Sequence, residues 1–329
     1  MTFTVGSISA EKGEKTRGYL KAAELPLGTV SLPVTLINGD KKGPTLFISS
    51  GIHATEYPGI RATQILAQKL EPETIEGTII ILHCANPQMF NAKTAFVNPS
   101  DHINFNRIFP GEPQFTGFYG PGSISHHITN FIYTNLMRKS THFIDLHGGD
   151  LPELVPFFAA ASKTGDDKKD VDTEAMLRYS LADFVSLNPP SKSFSTTGAA
   201  SRATIPNVLI ESGGAGLLHV NDVTQHVDGV LNISRYLGLI DEKPVEPTGQ
   251  LRMDGPSAGV RASRGGFFSY GVDPGDIVAR GQKIGEITDL FGNCLEEVKS
   301  PIDGVVAIIN FLSAKHTGDP LFSLKGLND

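Results

Sequence analysis

Over its first two thirds the chain alternates apolar runs of strand length with amphipathic stretches of helical period, and that alternation confines it to an α/β layer fold. Val30–Ile37, Thr45–Ser50, Thr78–Cys84, Phe143–Leu146 and Val208–Ile210 read as strands. The last two are apolar at successive positions, as expected of strands covered on both faces of a mixed sheet. Pro58–Leu70, Val171–Val185 and Asn221–Leu237 read as helices. Ser123 is placed to cap a further helix whose Ile124, Ile128, Phe131, Ile132 and Leu136 fall on one face. Asn38-Gly39, lying between two strand patterns, predicts a hairpin turn.

Near Lys243-Pro244 the texture changes. Long helical patterns stop, and short strands separated by Gly, Pro and Asp take over, as in Gly271–Asp276, Ala279–Gln282 and Ser300–Gly304. The expected organisation is therefore a catalytic-sized α/β domain over residues 1–243 and a small all-β domain over 244–329. The spacing of Gly275-Asp276, Gly281-Gln282 and Ser300–Val306 resembles a biotinyl/lipoyl-type hammerhead, a barrel-sandwich-like unit. Such a unit carries its attachment lysine in the turn before Glu296-Glu297-Val298, where this chain has Asn293-Cys294-Leu295. No swinging cofactor is expected, and the unit should shield a site or support assembly, so a homo-oligomer stays open.

Charge and composition remove several classes of function. A net charge of −7 without any Lys/Arg stripe argues against nucleic acid and anionic membrane as partners. Met1–Leu20 lacks the basic start and apolar run of a signal peptide, and no apolar stretch approaches membrane-spanning length. The cytoplasm is the default compartment. Cys84 and Cys294 lie far apart in strand-like settings, which suggests neither a disulfide framework nor a cysteine metal site.

The strand Thr45–Ser50 runs into Gly51-Ile52-His53-Ala54-Thr55-Glu56-Tyr57. In open α/β sheets, ligands and catalytic groups gather where strands end. His53 and Glu56 are three apart, so a helical turn beginning there would set both on one side. An imidazole and a carboxylate supply half of a zinc site, and a catalytic zinc needs a third protein ligand and an open fourth position. His147 is the best donor, since it ends the strand Phe143–Leu146, and Gly148-Gly149 would leave room beside its ring. Glu211 ends the strand Asn207–Ile210 ahead of Ser212–Gly216, where a carboxylate can take a proton from an attacking water and pass it to a leaving amine. Together these are the parts needed for amide hydrolysis.

The order of Gly51–Tyr57, Asn86-Pro87, Asn106-Arg107-Ile108-Phe109-Pro110-Gly111, Asp145-Leu146-His147 and Ile210-Glu211-Ser212 resembles that of succinylglutamate desuccinylases and aspartoacylases, relatives of the M14-type zinc carboxypeptidases. The resemblance spans roughly residues 25 to 240, and the β-rich tail suits it. It implies a zinc-carboxypeptidase-like mixed sheet, one zinc on His53, Glu56 and His147, Glu211 as general base, and a small N-acyl amino acid as substrate. Asn106 and Arg107 match the pair that holds a substrate carboxylate, a task suited to the bidentate guanidinium fork. Deacetylation of N-acetyl diaminobutyrate is among the activities of the branch. Two positions depart from the pattern: Asn104 stands where many members have Asp, and Gln88 where aspartoacylase-like members tend to have Arg.

Plainer readings stand beside these. His53 and Glu56 suit an acidic helix start with a chance histidine, and Arg107 suits an ordinary ion pair. Asp145 is either an orienting partner for a ligand imidazole or a buried acid. His126-His127, adjacent on a helix, point in different directions and read as surface or packing residues, while His83 reads as a satisfied core histidine. A peptide-trimming metallocarboxypeptidase would want a more open cleft than the added β unit suggests. A non-catalytic binding protein would be expected to lack a ligand or the base, and here none is missing.

Overall fold

The computed structural model describes residues 1–111 and 122–328. In chain order its main strands are β1 (Glu14–Leu25), β2 (Gly28–Asn38), β3 (Lys41–Ser50), β4 (Glu76–Leu82), β5 (His142–His147), β6 (Glu153–Ser162), β7 (Phe184–Asn188), β8 (Asn207–Gly214), β9 (Ser257–Arg261), β10 (Gly304–Asn310) and β11 (Pro320–Lys325). The helices are α1 (Tyr57–Lys69), α2 (Pro87–Ala92), α3 (Ile124–Asn135), α4 (Asp167–Tyr179), α5 (Thr196–Arg202) and α6 (Val220–Tyr236). The strands join one mixed sheet in the order β9-β11-β10-β6-β8-β5-β3-β4-β2-β1, with β7 beside β6. The α/β class with an antiparallel C-terminal region is therefore as the sequence predicts.

The sheet is apolar on both faces because its central strands are. In β4, Ile79 and Ile81 point to the layer holding Leu66 of α1, Met176 of α4 and Ile233 of α6, whereas Ile80 and Leu82 point to Ile128 and Ile132 of α3 and Ala199 and Ala200 of α5. Successive strand residues face opposite ways, so an unbroken apolar run is what a two-sided core demands. Each such side chain contributes roughly 1.5–3 kcal/mol on burial.

Two local expectations are corrected. Asn38-Gly39 is no hairpin: β2 pairs antiparallel with β4, and β3 lies parallel on the other side of β4. Gly39 N–H donates to Gly77 O (2.9 Å), and a Cβ on Gly39 would strike Ile75 O, so this glycine serves a close crossing beside β4. The long apolar run of β4 takes the central place that a tight hairpin would have denied it. The helix expected over Val171–Val185 ends at Tyr179, and Phe184 and Val185 enter β7. Leu181, with φ 63°, sits in the left-handed region that breaks the helix.

Beyond residue 243 the chain does not stand apart from the sheet. β10 pairs antiparallel with β6 through Ile309↔Leu154 and Asn310↔Glu153. A four-stranded sheet (Gly266–Tyr270, Lys283–Thr288, Cys294–Lys299 and Ala314–Lys315) closes over Phe268, Ile284, Ile287, Val298, Val306 and Leu321. In the turn ahead of Cys294 the Asp289 carboxylate accepts the N–H groups of Phe291 and Asn293.

Candidate functional site

Strands β3, β5 and β8 are parallel neighbours, so their C-terminal ends open at one edge of the sheet. Ser50 pairs with Leu146 and His147 with Glu211, which sets the two strand tips side by side. The chain leaves β3 at Gly51, whose φ of 70° suits glycine, and turns through His53 to Glu56. This turn precedes the helix, since α1 begins at Tyr57 and Glu56 N–H donates back to His53 O (3.3 Å). Glu56 occupies the N-cap position yet makes no capping bond, because its carboxylate is turned elsewhere.

It is turned toward two imidazoles. Glu56 Oε1 lies 2.9 Å from His53 Nδ1, and Glu56 Oε2 lies 2.9 Å from His147 Nδ1 and accepts Gly148 N–H (3.2 Å). His53, Glu56 and His147 are all buried, with one donor atom from each inside a span of 4.8 Å. The outer nitrogens are held as well. His147 Nε2–H donates to Asp145 Oδ2 (2.9 Å) and His53 Nε2–H to Asn104 Oδ1 (3.1 Å). Ser49 Oγ–H donates to Asp145 Oδ1, and Thr196 Oγ–H to Asp145 Oδ2 (2.6 Å).

The electrostatics follow from packing these groups out of water. Burial alone would raise the Glu56 carboxyl, but His53 and His147 outweigh it and hold it down at about 2. Burial also opposes the charged form of His147, yet Asp145 and Glu56 keep that ring well above the ordinary histidine value. Glu211 goes the other way: desolvation pushes its carboxyl well above the usual range, Glu56, Glu153 and Asp145 add repulsion, and His147 only partly offsets them. The two carboxylates thus differ in proton affinity because Glu56 faces two imidazoles at close range, whereas burial dominates at Glu211.

The donor set fits a divalent ion of the zinc type. Two imidazole nitrogens and a carboxylate oxygen are its common ligands, and tetrahedral coordination at about 2.0–2.2 Å needs donors roughly 3.3 Å apart, close to the inward spacings here. Each outer nitrogen donates to an oxygen, which fixes the tautomer that leaves the inner nitrogen free for a metal.

Asn106 and Arg107 lie in a short turn (Phe105–Arg107) beside this centre. Asn106 is buried, and its Oδ1 accepts Thr196 N–H (2.9 Å). Arg107 is exposed; its Nη1 donates to Asn106 O (2.9 Å), and it has no acidic partner among the described residues. Gln88 is engaged elsewhere, donating to Ser100 Oγ (2.6 Å) and accepting from Asn98 Nδ2 (3.2 Å). His83 is held between Thr35 Oγ1 (2.8 Å) and Thr63 Oγ1 (3.1 Å), and His126 Nδ1 meets Ser123 Oγ (3.0 Å). Ser123 occupies the N-cap of α3 but its side chain makes no capping bond there.

Some contributors were not visible in the sequence. Gly148 and Gly149 make room for backbone rather than ligand, since a Cβ would meet Ser212 O and Glu153 O respectively. Asp150, directly after His-Gly-Gly, is fully buried and accepts from Thr55 Oγ1 and from Phe96 N–H (2.7 Å). Phe96, held at φ 59°, sets its ring edge-on to His53 with centroids 6.0 Å apart. Asn104 drew notice only as a departure from a pattern, and Thr196 is lost in a Ser/Thr-rich stretch that offers no signal.

Comparison with known proteins gives a consistent set. A sequence model described as the succinylglutamate desuccinylase/aspartoacylase catalytic domain matches residues 42–237. The N-alpha-acetyl-L-2,4-diaminobutyric acid deacetylase of Halomonas elongata is 28% identical over 325 residues, covering 96% of this chain and 92% of that protein. The product-bound ectoine utilization protein EutE (DoeB) of Ruegeria pomeroyi superposes with a TM-score of 0.87 at 23% identity, over 97% of this chain and 98% of that one. A succinylglutamate desuccinylase/aspartoacylase structure from Rhodobacter sphaeroides gives a TM-score of 0.84 at 24% identity, over 95% and 96% of the two chains.

Proposed function

The chain belongs to the succinylglutamate desuccinylase/aspartoacylase family, and from that premise we propose that it is a zinc-dependent deacylase cleaving the amide bond of a small N-acyl amino acid. The observation that carries this reading is the convergence of three buried donor atoms, on His53, Glu56 and His147, beside Glu211 on the adjoining strand tip. Residues 1–243 then form the catalytic part. Residues 244–329 brace it, because β10 and Phe311 N–H, which donates to Pro152 O (3.0 Å), hold the segment leading from Asp150 into β6.

Zinc, when bound, supplies polarisation of the acyl carbonyl and acidification of water. Everything else is done by the chain. Glu211 takes a proton from the attacking water as its oxygen bonds to the acyl carbon, and delivers that proton to the amine nitrogen as the C–N bond breaks. Asp145 and Asn104 keep the two imidazoles oriented. Arg107, which has no acidic partner among the described residues, pairs with the carboxylate of the amino acid part, while Asn106, whose oxygen is bound to Thr196, offers its amide nitrogen as a further donor.

Gln88 supplies no cation for a second carboxylate, which disfavours N-acetylaspartate and succinylglutamate. The Halomonas relative is named for N-alpha-acetyl-L-2,4-diaminobutyric acid, and this is the first candidate substrate. A panel of N-acyl amino acids assayed before and after chelation, with zinc add-back, tests the reading. Amine release from one of them that vanishes with the metal and returns with zinc is expected. Metal-independent turnover, or no turnover of any N-acyl amino acid by zinc-loaded protein, contradicts it.

A further inference from the structure

The two imidazoles are joined by side chains far apart in sequence as well as through Glu56. His53 Nε2–H donates to Asn104 Oδ1 (3.1 Å), and the same oxygen accepts Asn106 N–H (2.8 Å). Asn106 Oδ1 accepts Thr196 N–H (2.9 Å); Thr196 Oγ–H donates to Asp145 Oδ2 (2.6 Å), the oxygen that also receives His147 Nε2–H (2.9 Å). The Thr196 hydroxyl lies 3.4 Å from Asn106 Oδ1 too, but it has one proton, and the shorter contact to the acid takes it.

Thr196 therefore touches both halves of the site through different atoms. Its backbone N–H holds Asn106, whose neighbour Arg107 is the exposed arm. Its hydroxyl holds Asp145, which orients His147. Thr196 is 1% exposed, Asp145 0% and Asn106 8%, so no water competes for these bonds and a shift at one link is passed on to the next. We propose that Thr196 is a positioning residue that couples metal occupancy to the setting of the Asn106–Arg107 arm. This rests on the reading of His53, Glu56 and His147 as the metal ligands and of Arg107 as the carboxylate anchor. Coupling of this kind is reciprocal: a carboxylate settled on the arm tightens metal binding by the factor by which the metal tightens carboxylate binding.

The test compares Thr196→Val, which removes the hydroxyl but keeps the backbone N–H, with Thr196→Ser, which keeps both. Zinc affinity is measured by competition with a chromogenic chelator, with and without saturating L-2,4-diaminobutyrate as the carboxylate probe. Wild type and Thr196→Ser should bind zinc several-fold more tightly with the probe. Thr196→Val should bind zinc about tenfold more weakly without it, the lower end of what partners of ligand imidazoles are worth, and should show no response to it. Asn106→Ala breaks the path at another link and also removes a donor to the carboxylate, so the probe is first brought to saturation on this variant, checked by calorimetry; zinc affinity should then be the same with and without bound probe, which carries the test if Thr196→Val does not fold. A wild-type response in either variant, or wild-type zinc affinity in Thr196→Val, overturns the proposal, as does a wild type indifferent to the probe. Should the expected pattern hold while no N-acyl amino acid is turned over, the coupling stands and the substrate reading falls.

Discussion

The imidazoles of His53 and His147, the two proposed ligands, are not equivalent. The outer nitrogen of His147 donates to a carboxylate, Asp145, whereas that of His53 donates to the neutral amide of Asn104. Glu56 stands at the N-cap of α1 without capping it and turns its carboxylate to both rings instead. Arg107 also points outward: it is exposed, and among the described residues its guanidinium donates to the carbonyl of its own neighbour Asn106. Arg107→Lys should lower kcat/KM by one to three orders of magnitude, because an ammonium cannot reproduce a bidentate contact worth about 1.5–3 kcal/mol. An amide matched to the substrate but lacking its carboxylate should be poor for the wild type and lose little more in the variant. Kinetics of both enzymes on both amides check this; an equal loss on the two would make Arg107 a structural residue.

At the scale of elements, the C-terminal strands are part of the scaffold that carries the site. β10 covers the edge of β6, and the core around Phe268 and Leu321 includes Leu154 of β6. A chain ending at Lys243 would bare that edge and that apolar face, so it should elute as aggregate in size-exclusion chromatography and show no turnover. A monodisperse, active truncation would mean that the tail only accompanies the catalytic part.

The same strands mark where sequence reading succeeds and where it stops. β3, β4, β5 and β8 were legible because both faces are buried and their apolar runs are unbroken, and the order of motifs at their ends, more than any one motif, singled out His53, Glu56, His147 and Glu211. β6, through Glu153–Ser162, was missed because Pro156 interrupts it and its second half is Phe-Phe-Ala-Ala-Ala, in which the alternation of burial from Phe157 to Ala161 leaves no mark on the residue types. The Asn38-Gly39 hairpin failed because a local turn signal was overridden by the more apolar β4, which no local window reveals. Asn104 bonds His53 only once the Phe105–Arg107 turn lies against the turn after β3, and Thr196 bonds Asp145 only once α5 lies against β5, and neither spacing nor composition encodes those contacts.

For the molecule as a whole, buried neutral histidines tie stability to pH. Burial lowers His226 and His83 to about 4, and His142 is also lowered, burial again being the first cause. With folded values below the unfolded 6.5, the unfolded chain binds more protons between about 4 and 6.5. Their contribution is intact above about 6.5 and is lost as pH falls through that window. His147 and Glu211, whose proton affinities are raised, act in the opposite sense in metal-free protein, so the test is a difference: between pH 7 and pH 5 the thermal midpoint of His83→Gln should fall less, or rise more, than that of the wild type. The same pH dependence in both proteins would contradict the assignment.

The proposed division of labour is that His53, Glu56 and His147 hold zinc while Glu211 moves the proton. It is tested most directly by measuring zinc per chain and turnover together in wild type, Glu211→Gln and His147→Ala. Wild type should carry close to one zinc. Glu211→Gln should keep it and lose turnover by a factor on the order of 10²–10⁴, the range for a positioned general base, whereas His147→Ala should lose both. Zinc expelled by Glu211→Gln, full zinc retention in His147→Ala, or near-normal turnover in Glu211→Gln would contradict that division.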